Sequence, residues 1–430
     1  MLYKFKEENL IKSDKHSTFT ILISFIFENS KLKSIGLDEE SAYYAIQILA
    51  DTLTKVSEKY PTEKEMIKEK YRLYNAEVSF IADDYYKNSC LHLMIDAINP
   101  KYVEDDDLLA SLFCLAKEKL YHPLLNDTKD GFDKKQIEIK KERLINDRKS
   151  IITNKARFAK LRLLEEMKKE GEDSLTLDLS TESIEKISEY DIYKLYLHIL
   201  NNSKILVNAY GDLEYDTLST EIDKLNLVSS DDVKIRAYEA KDYEVKEAKE
   251  VVEVQDISQS KLYLGYRTSI TFGSKYFPAL IVFSMMFGGI SASTLFVNIR
   301  ERKSLVYSIY SALMSSRKIF FVASANDSNK SKFIVEEVKK ELAKYANGDI
   351  EAKFELLEMA KEEIINGEYS TYDSPISILN EQVSTYMTGF YKSKEFIEVI
   401  KKVTIEDIIY ASKTLTLDTI YILRGKEDEK

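Results

Sequence analysis

Residues 288–307 read Gly-Gly-Ile-Ser-Ala-Ser-Thr-Leu-Phe-Val-Asn-Ile-Arg-Glu-Arg-Lys-Ser-Leu-Val-Tyr. Gly288 and Gly289 interrupt the apolar segment 279–287, and Ser291 or Ser293 can cap a new helix by accepting a backbone N–H. Leu295 and Ile299 lie four apart and make one face apolar, with Phe296 and Arg300 on a neighbouring face. After Lys303 the period drops to two, through Leu305, Tyr307, Ile309 and Ser311, which predicts a strand. A helix therefore delivers Arg300 to one end of a sheet, and Tyr307 lies on the strand that follows. By local chemistry alone these are a solvated Arg and a half-buried strand Tyr, since exposed Arg is the default.

Phe296, Ile299-Arg300-Glu301, Leu305 and Tyr307 resemble the C-terminal signature of the insulinase/pitrilysin-like (inverzincin) metallopeptidases. The resemblance implies that Arg300 and Tyr307 bind and orient a peptide substrate, with Phe296 and Glu301 supporting them. It places the zinc centre in a different half of the molecule or in a partner chain. Ser304 stands where the family often has Gly.

Composition narrows the class. A chain of 430 residues exceeds one ordinary core, and 44% hydrophobic with 31% charged residues describes a globular protein. Only 12 Gly and 5 Pro leave little room for low-complexity linkers. Net charge is −11, and Lys-rich tracts such as 134–149 alternate with Glu and Asp, which argues against nucleic-acid binding. Cys90 and Cys114 lie 24 apart without paired spacing, predicting free, buried thiols in a reducing compartment. No signal-peptide core is legible, and the runs 21–27 and 279–287 fall far short of the ~20 residues of a membrane span. A cytoplasmic location is expected.

Along the chain, 19–28 alternates as a strand with one buried face, and 41–59 is an amphipathic helix. Residues 62–74 form a helix with Thr62 and Glu65 as a capping box, and 76–82 with 89–97 a hairpin. Residues 105–167 are helical almost throughout, and 204–211 is a strand. The pattern then repeats. Asp191 and Asp407 lie 216 apart, Gly211 and Gly425 214 apart, and helix 62–74 plus hairpin 76–97 parallels helix 291–302 plus hairpin 304–325. The predicted fold is α+β, two homologous halves, each an antiparallel-rich sheet packed with helices. The expected division is 1–228, a charged linker 229–249, and 250–430 carrying the Arg/Tyr signature. The resemblance to the family implies the same duplicated halves.

An active member of that family carries H-x-x-E-H on a helix of the first half, two His binding zinc and the Glu serving as general base. This chain has four His, at 16, 92, 122 and 198, none closer than 30 residues to another. Helix 41–59, where the motif is expected, contains no His. No G-x-S-x-G, C-x-x-C, P-loop or dinucleotide fingerprint replaces it. Asn146-Asp147-Arg148-Lys149, Arg157-Phe158-Ala159, Met167, Pro61-Thr62 and 73–76 resemble the zinc-less branch associated with elongation factor P modification in Gram-positive bacteria. The resemblance implies a non-catalytic subunit of a heterodimeric zinc peptidase, giving Arg300 and Tyr307 in trans to a zinc-bearing paralogous partner. No metal or cofactor is expected in this chain itself. The alternative is a catalytically dead peptide-binding or scaffold protein, which could be homodimeric.

Overall fold

The computed structural model describes residues 3–85, 87–169, 180–235, 242–349 and 354–426. Residues 236–241 of the expected linker lie outside them. Its strands are β1 (Leu10–Lys12), β2 (Thr18–Glu28), β3 (Glu77–Tyr85), β4 (Asn88–Ile98), β5 (Lys204–Gly211), β6 (Lys249–Val254), β7 (Ser260–Arg267), β8 (Val306–Met314), β9 (Ile319–Asn326) and β10 (Thr416–Arg424). Around them run α1 (Glu39–Lys55), α2 (Glu63–Arg72), α3 (Leu108–Tyr121), α4 (Lys134–Thr153), α5 (Lys155–Met167), α6 (Glu189–Asn202), α7 (Phe277–Ser284), α8 (Ser331–Asn347), α9 (Pro375–Thr388) and α10 (Ile405–Lys413). No helix among the described residues is long and apolar enough to cross a membrane.

The duplication is literal. One sheet is ordered β1-β5-β2-β4-β3 and the other β6-β10-β7-β9-β8, the same order with each strand replaced by its counterpart. In each, the first edge strand is parallel to its neighbour and the remaining pairs are antiparallel. The aspartates that reveal the repeat have a common local cause. Asp191 accepts from the backbone N–H of Ser188, and Asp407 from that of Thr404, each closing a capping box that starts a helix before the last strand of its sheet. The expected box of Thr62 and Glu65 also forms.

By contacts, Met1–Lys149, Ser180–Ala237 and Thr371–Gly389 make one compact unit; Ser150–Leu179, Tyr238–Ser370 and Phe390–Lys430 make the other. The units therefore interleave along the chain, while the sequence division at 229–249 follows the repeat. In the first unit, β2 is buried on both faces rather than on the one its alternation predicts. Phe19, Ile21, Ile23, Phe25 and Phe27 fill one side. On the other, Leu22 and Ile26 form a core with Cys90, Tyr210 and the α9 residues Ile378, Leu379, Val383 and Met387. In the second unit, α7, α8 and α10 cover one face, where Leu262, Leu264, Phe320, Val322, Ile420 and Ile422 lie. The opposite face, with Tyr263, Phe321, Ala323, Tyr421 and Leu423, is covered by Phe158, Leu163, Leu164 and Met167 of α5. Gly265 faces α5, where a Cβ would press on the Met167 and Leu163 side chains.

Each sheet thus needs one helix from a distant stretch of sequence to close its second face. Leu163 and Leu379 are both fully buried. Leu379→Ala and Leu163→Ala should each cost about 2–5 kcal/mol, read as a lowered midpoint in denaturant unfolding.

Candidate functional site

The apolar helix α7 does not stop at Gly288. It continues as a wide π turn, Met285–Gly289, and ends at Ile290. Gly288 is required there, since a Cβ would meet the Ser311 backbone nitrogen on β8 at 2.5 Å. The signature helix follows, with Phe296–Glu301 wound as a second π segment. No serine side chain caps it: the carbonyl of Ser293, not its hydroxyl, accepts from Val297 N–H at 3.0 Å.

The winding stacks residues four apart. The Arg300 guanidinium lies over the Phe296 ring, 4.6 Å from its centroid, a cation–π contact that holds the side chain without neutralising it. Arg300 and Glu301 are exposed, and neither enters an ion pair among the described residues. Leu295 and Ile299 are fully buried, as their spacing predicts, and anchor this helix in the core.

Tyr307 departs from the period-two reading. The ladder between β8 and β9 shifts register between Val306 and Ser308, so Tyr307 sits in a β-bulge. Val306, Ile309 and Ser311 are buried while Tyr307 is 53% exposed. The extra residue removes Tyr307 from the phase of Ile309 and turns it outward. Its hydroxyl donates to Asp327 Oδ1 at 2.8 Å, and Asp327 also pairs with Lys330 at 2.8 Å. Lys330 and then Tyr307 hold the Asp327 carboxyl below the usual range. The hydrogen bond to that carboxylate raises the Tyr307 pKa, so the phenol stays a neutral donor. Asp327 and Lys330 were not legible as site residues, because only the hairpin geometry brings them to Tyr307. Arg300 and Tyr307 share the entry to β8, which is an edge strand.

The first unit contains a cleft of about 480 Å³ between α1, the β3–β4 hairpin and α4. Tyr43, Gln47 and Asp51 line it from α1 at helical spacing of four, joined by Asp83, Asp84 and Lys140. The zinc expected of the family does not fit these residues. Asp51 lies between two ammonium groups, 3.0 Å from Lys140 and 3.4 Å from Lys55, so a cation already occupies its charge. Among the described residues no three His, Cys, Asp or Glu side chains could hold a metal ion.

The histidines are dispersed. His92 is buried on β4, with Nδ1 2.8 Å from Ser24 Oγ and Nε2 3.3 Å from Asp83. His16 contacts the Tyr210 hydroxyl at 3.0 Å, and His122 is exposed near Glu58. Burial, and then the charge of Lys31, lowers the His198 pKa. Cys90 is buried with its thiol pKa pushed up, whereas Cys114 is exposed, contrary to the expected burial.

A family model for the "Peptidase M16 inactive domain" matches residues 186–363. Over those residues the chain is similar to the M16 peptidases. It is 28% identical over 359 residues, 83% of each chain, to the "Probable inactive metalloprotease YmfF" of Bacillus subtilis (strain 168). The fold is shared with a conserved protein from Enterococcus faecalis V583, with a TM-score of 0.86 at 22% identity over 98% of this chain and 96% of that one. It is also shared with a peptidase M16 inactive domain from Pseudomonas fluorescens, with a TM-score of 0.75 at 16% identity over 99% and 98%.

In this chain Ser304 adopts φ 49°, the left-handed region that glycine favours. Ser304→Gly should therefore raise stability by up to about 1 kcal/mol, the relief of a left-handed residue offset by glycine's greater unfolded-state freedom. Thermal unfolding of the purified variant measures it.

Proposed function

We propose that this chain is the non-catalytic subunit of a heterodimeric zinc peptidase, presenting Arg300 and Tyr307 in trans to a partner that carries H-x-x-E-H and the zinc. The observation that carries the reading is the state of Arg300: exposed, propped on Phe296 and without a carboxylate partner among the described residues. An Arg kept only for stability gains most from a partnering carboxylate; one left with an open donor fork suits a peptide carbonyl or carboxylate. Tyr307 supports it, since the bulge turns the ring outward and Asp327 fixes the hydroxyl. On reaching a substrate carbonyl, Tyr307 would redirect its single proton from Asp327, which Lys330 continues to neutralise. Glu301 lies one residue after Arg300 and would favour a cationic group of the substrate or partner. In this reading the chain binds and orients the peptide, and the metal chemistry belongs to the partner.

A second reading, a catalytically dead peptide-binding protein, draws on the position of β8 at a sheet edge, to which an extended peptide can add as a strand. The two separate in one experiment. The chain is mixed with an H-x-x-E-H-bearing paralogue and cleavage of a peptide library is followed. Arg300→Ala and Tyr307→Phe should lower kcat/KM about 10²-fold or more, with the assembly still forming. Unchanged turnover in both variants would sink the trans-site reading.

A further inference from the structure

The duplication places a second, chemically different surface at the counterpart of the Arg/Tyr signature. In each unit a helix leads through a left-handed residue into an outer edge strand: α2 through Asn75 (φ 61°) into β3, and the signature helix through Ser304 (φ 49°) into β8. Asn75 and Ser304 lie 229 residues apart, and so do Tyr71 and Arg300, and Ile67 and Phe296. The positions of the stacked Phe296–Arg300 pair are thus held in the first unit by Ile67 and Tyr71, 50% and 70% exposed. Ile67 and Tyr71 lie four apart, so the two exposed side chains adjoin on one stripe of the helix.

The same face is basic. Lys64, Ile67, Lys68 and Tyr71 follow the i, i+3, i+4, i+7 spacing of one helix stripe. The acids of α2 are turned elsewhere: Glu63 to Lys55 at 3.4 Å, Glu65 to the Thr62 cap, and Glu69 to Arg72 at 2.6 Å. Lys64 and Lys68 enter no ion pair among the described residues, in a chain whose net charge is −11. Beneath Ile67 a pocket of about 170 Å³ opens between α2, α3 and the start of β3, with apolar walls from Met66, Ala76, Val78 and Leu115; the two carboxylates that also line it are paired, Glu63 with Lys55 and Glu77 with Lys70. Lys119 at its floor is buried, and its ammonium donates to the carbonyls of Thr54 and Val78.

We propose that α2 is a docking face for an extended acidic peptide segment. An aliphatic side chain of that segment enters the pocket under Ile67, its backbone lies along Tyr71, and its carboxylates meet Lys64 and Lys68. Where Arg300 offers a cationic fork, this face reads apolar character together with negative charge. The inference does not depend on the role of Arg300 or Tyr307.

The test is fluorescence anisotropy of the full chain with a labelled peptide of alternating Glu and Asp around a central Leu. A control peptide has every acid replaced by Lys. The acidic probe should bind, weaken with added salt, and lose about tenfold or more in affinity with Lys64→Glu/Lys68→Glu. Lys64→Arg/Lys68→Arg should retain binding, and Tyr71→Ala should weaken it. Equal binding of the basic control, no binding of the acidic probe, or indifference to the charge reversal would overturn the proposal. Concentration-dependent self-association in sedimentation that Tyr71→Asp abolishes would assign the face to a second copy of the chain, and would overturn it equally.

Discussion

Everything in this chain rests on the closure of two five-stranded sheets by helices that come from far away in sequence. A sheet with one apolar face can stop at one helical layer; these two cannot, because Leu22 and Ile26 on one, and Tyr263 and Phe321 on the other, point away from that layer. Helix α9 and helix α5 supply the missing cover, and Gly265 faces α5. This constraint also explains why His92 and Ser24, polar residues on the second face of their strands, are buried and bonded to each other rather than solvated. Ser24 meets one ring nitrogen of His92, and Asp83 lies 3.3 Å from the other.

The functional end of the second sheet is built by local irregularities. Two π turns carry the chain from α7 to Arg300, and a bulge turns Tyr307 outward. Such features sacrifice regular hydrogen bonding for the direction of a side chain, and they concentrate where side chains are used. At the corresponding place in the first unit the backbone makes the same left-handed turn, yet it presents Ile67 and Tyr71 instead of an aromatic-propped Arg. Duplication preserved the frame, and the two frames now expose different chemistry.

Much of this could be read before any coordinates. The repeat was visible because Asp191 and Asp407 close equivalent capping boxes, and caps are local rules that a sequence carries openly. The buried face of the signature helix followed from Leu295 and Ile299. Three things were not readable. The bulge at Tyr307 looks like uninterrupted alternation, since an extra residue on one strand is defined only by its partner strand. The second burial of β2 depends on α9, more than three hundred residues away. The pairing of Asp327 with Tyr307, and of Lys140 with Asp51, arises from hairpin and helix packing that no spacing rule encodes.

The cleft beside α1 is where the account is most exposed to contradiction. Tyr43 and Gln47 offer neutral oxygens at the helical spacing, and the nearby Asp51 is already held by Lys140 and Lys55. A dication placed there would face the ammonium groups that hold Asp51, while Asp83 lies against His92 and Asp84 accepts from Ser89; no imidazole or thiolate lines the cleft, and stable zinc sites are built from such ligands in threes and fours. The most direct measurement is a zinc titration of the isolated, chelator-washed chain by calorimetry, with metal content read by mass spectrometry. The account predicts no saturable binding and only trace metal. A stoichiometric zinc, retained through buffer exchange and released by a chelator, would contradict it and return the catalytic centre to this chain.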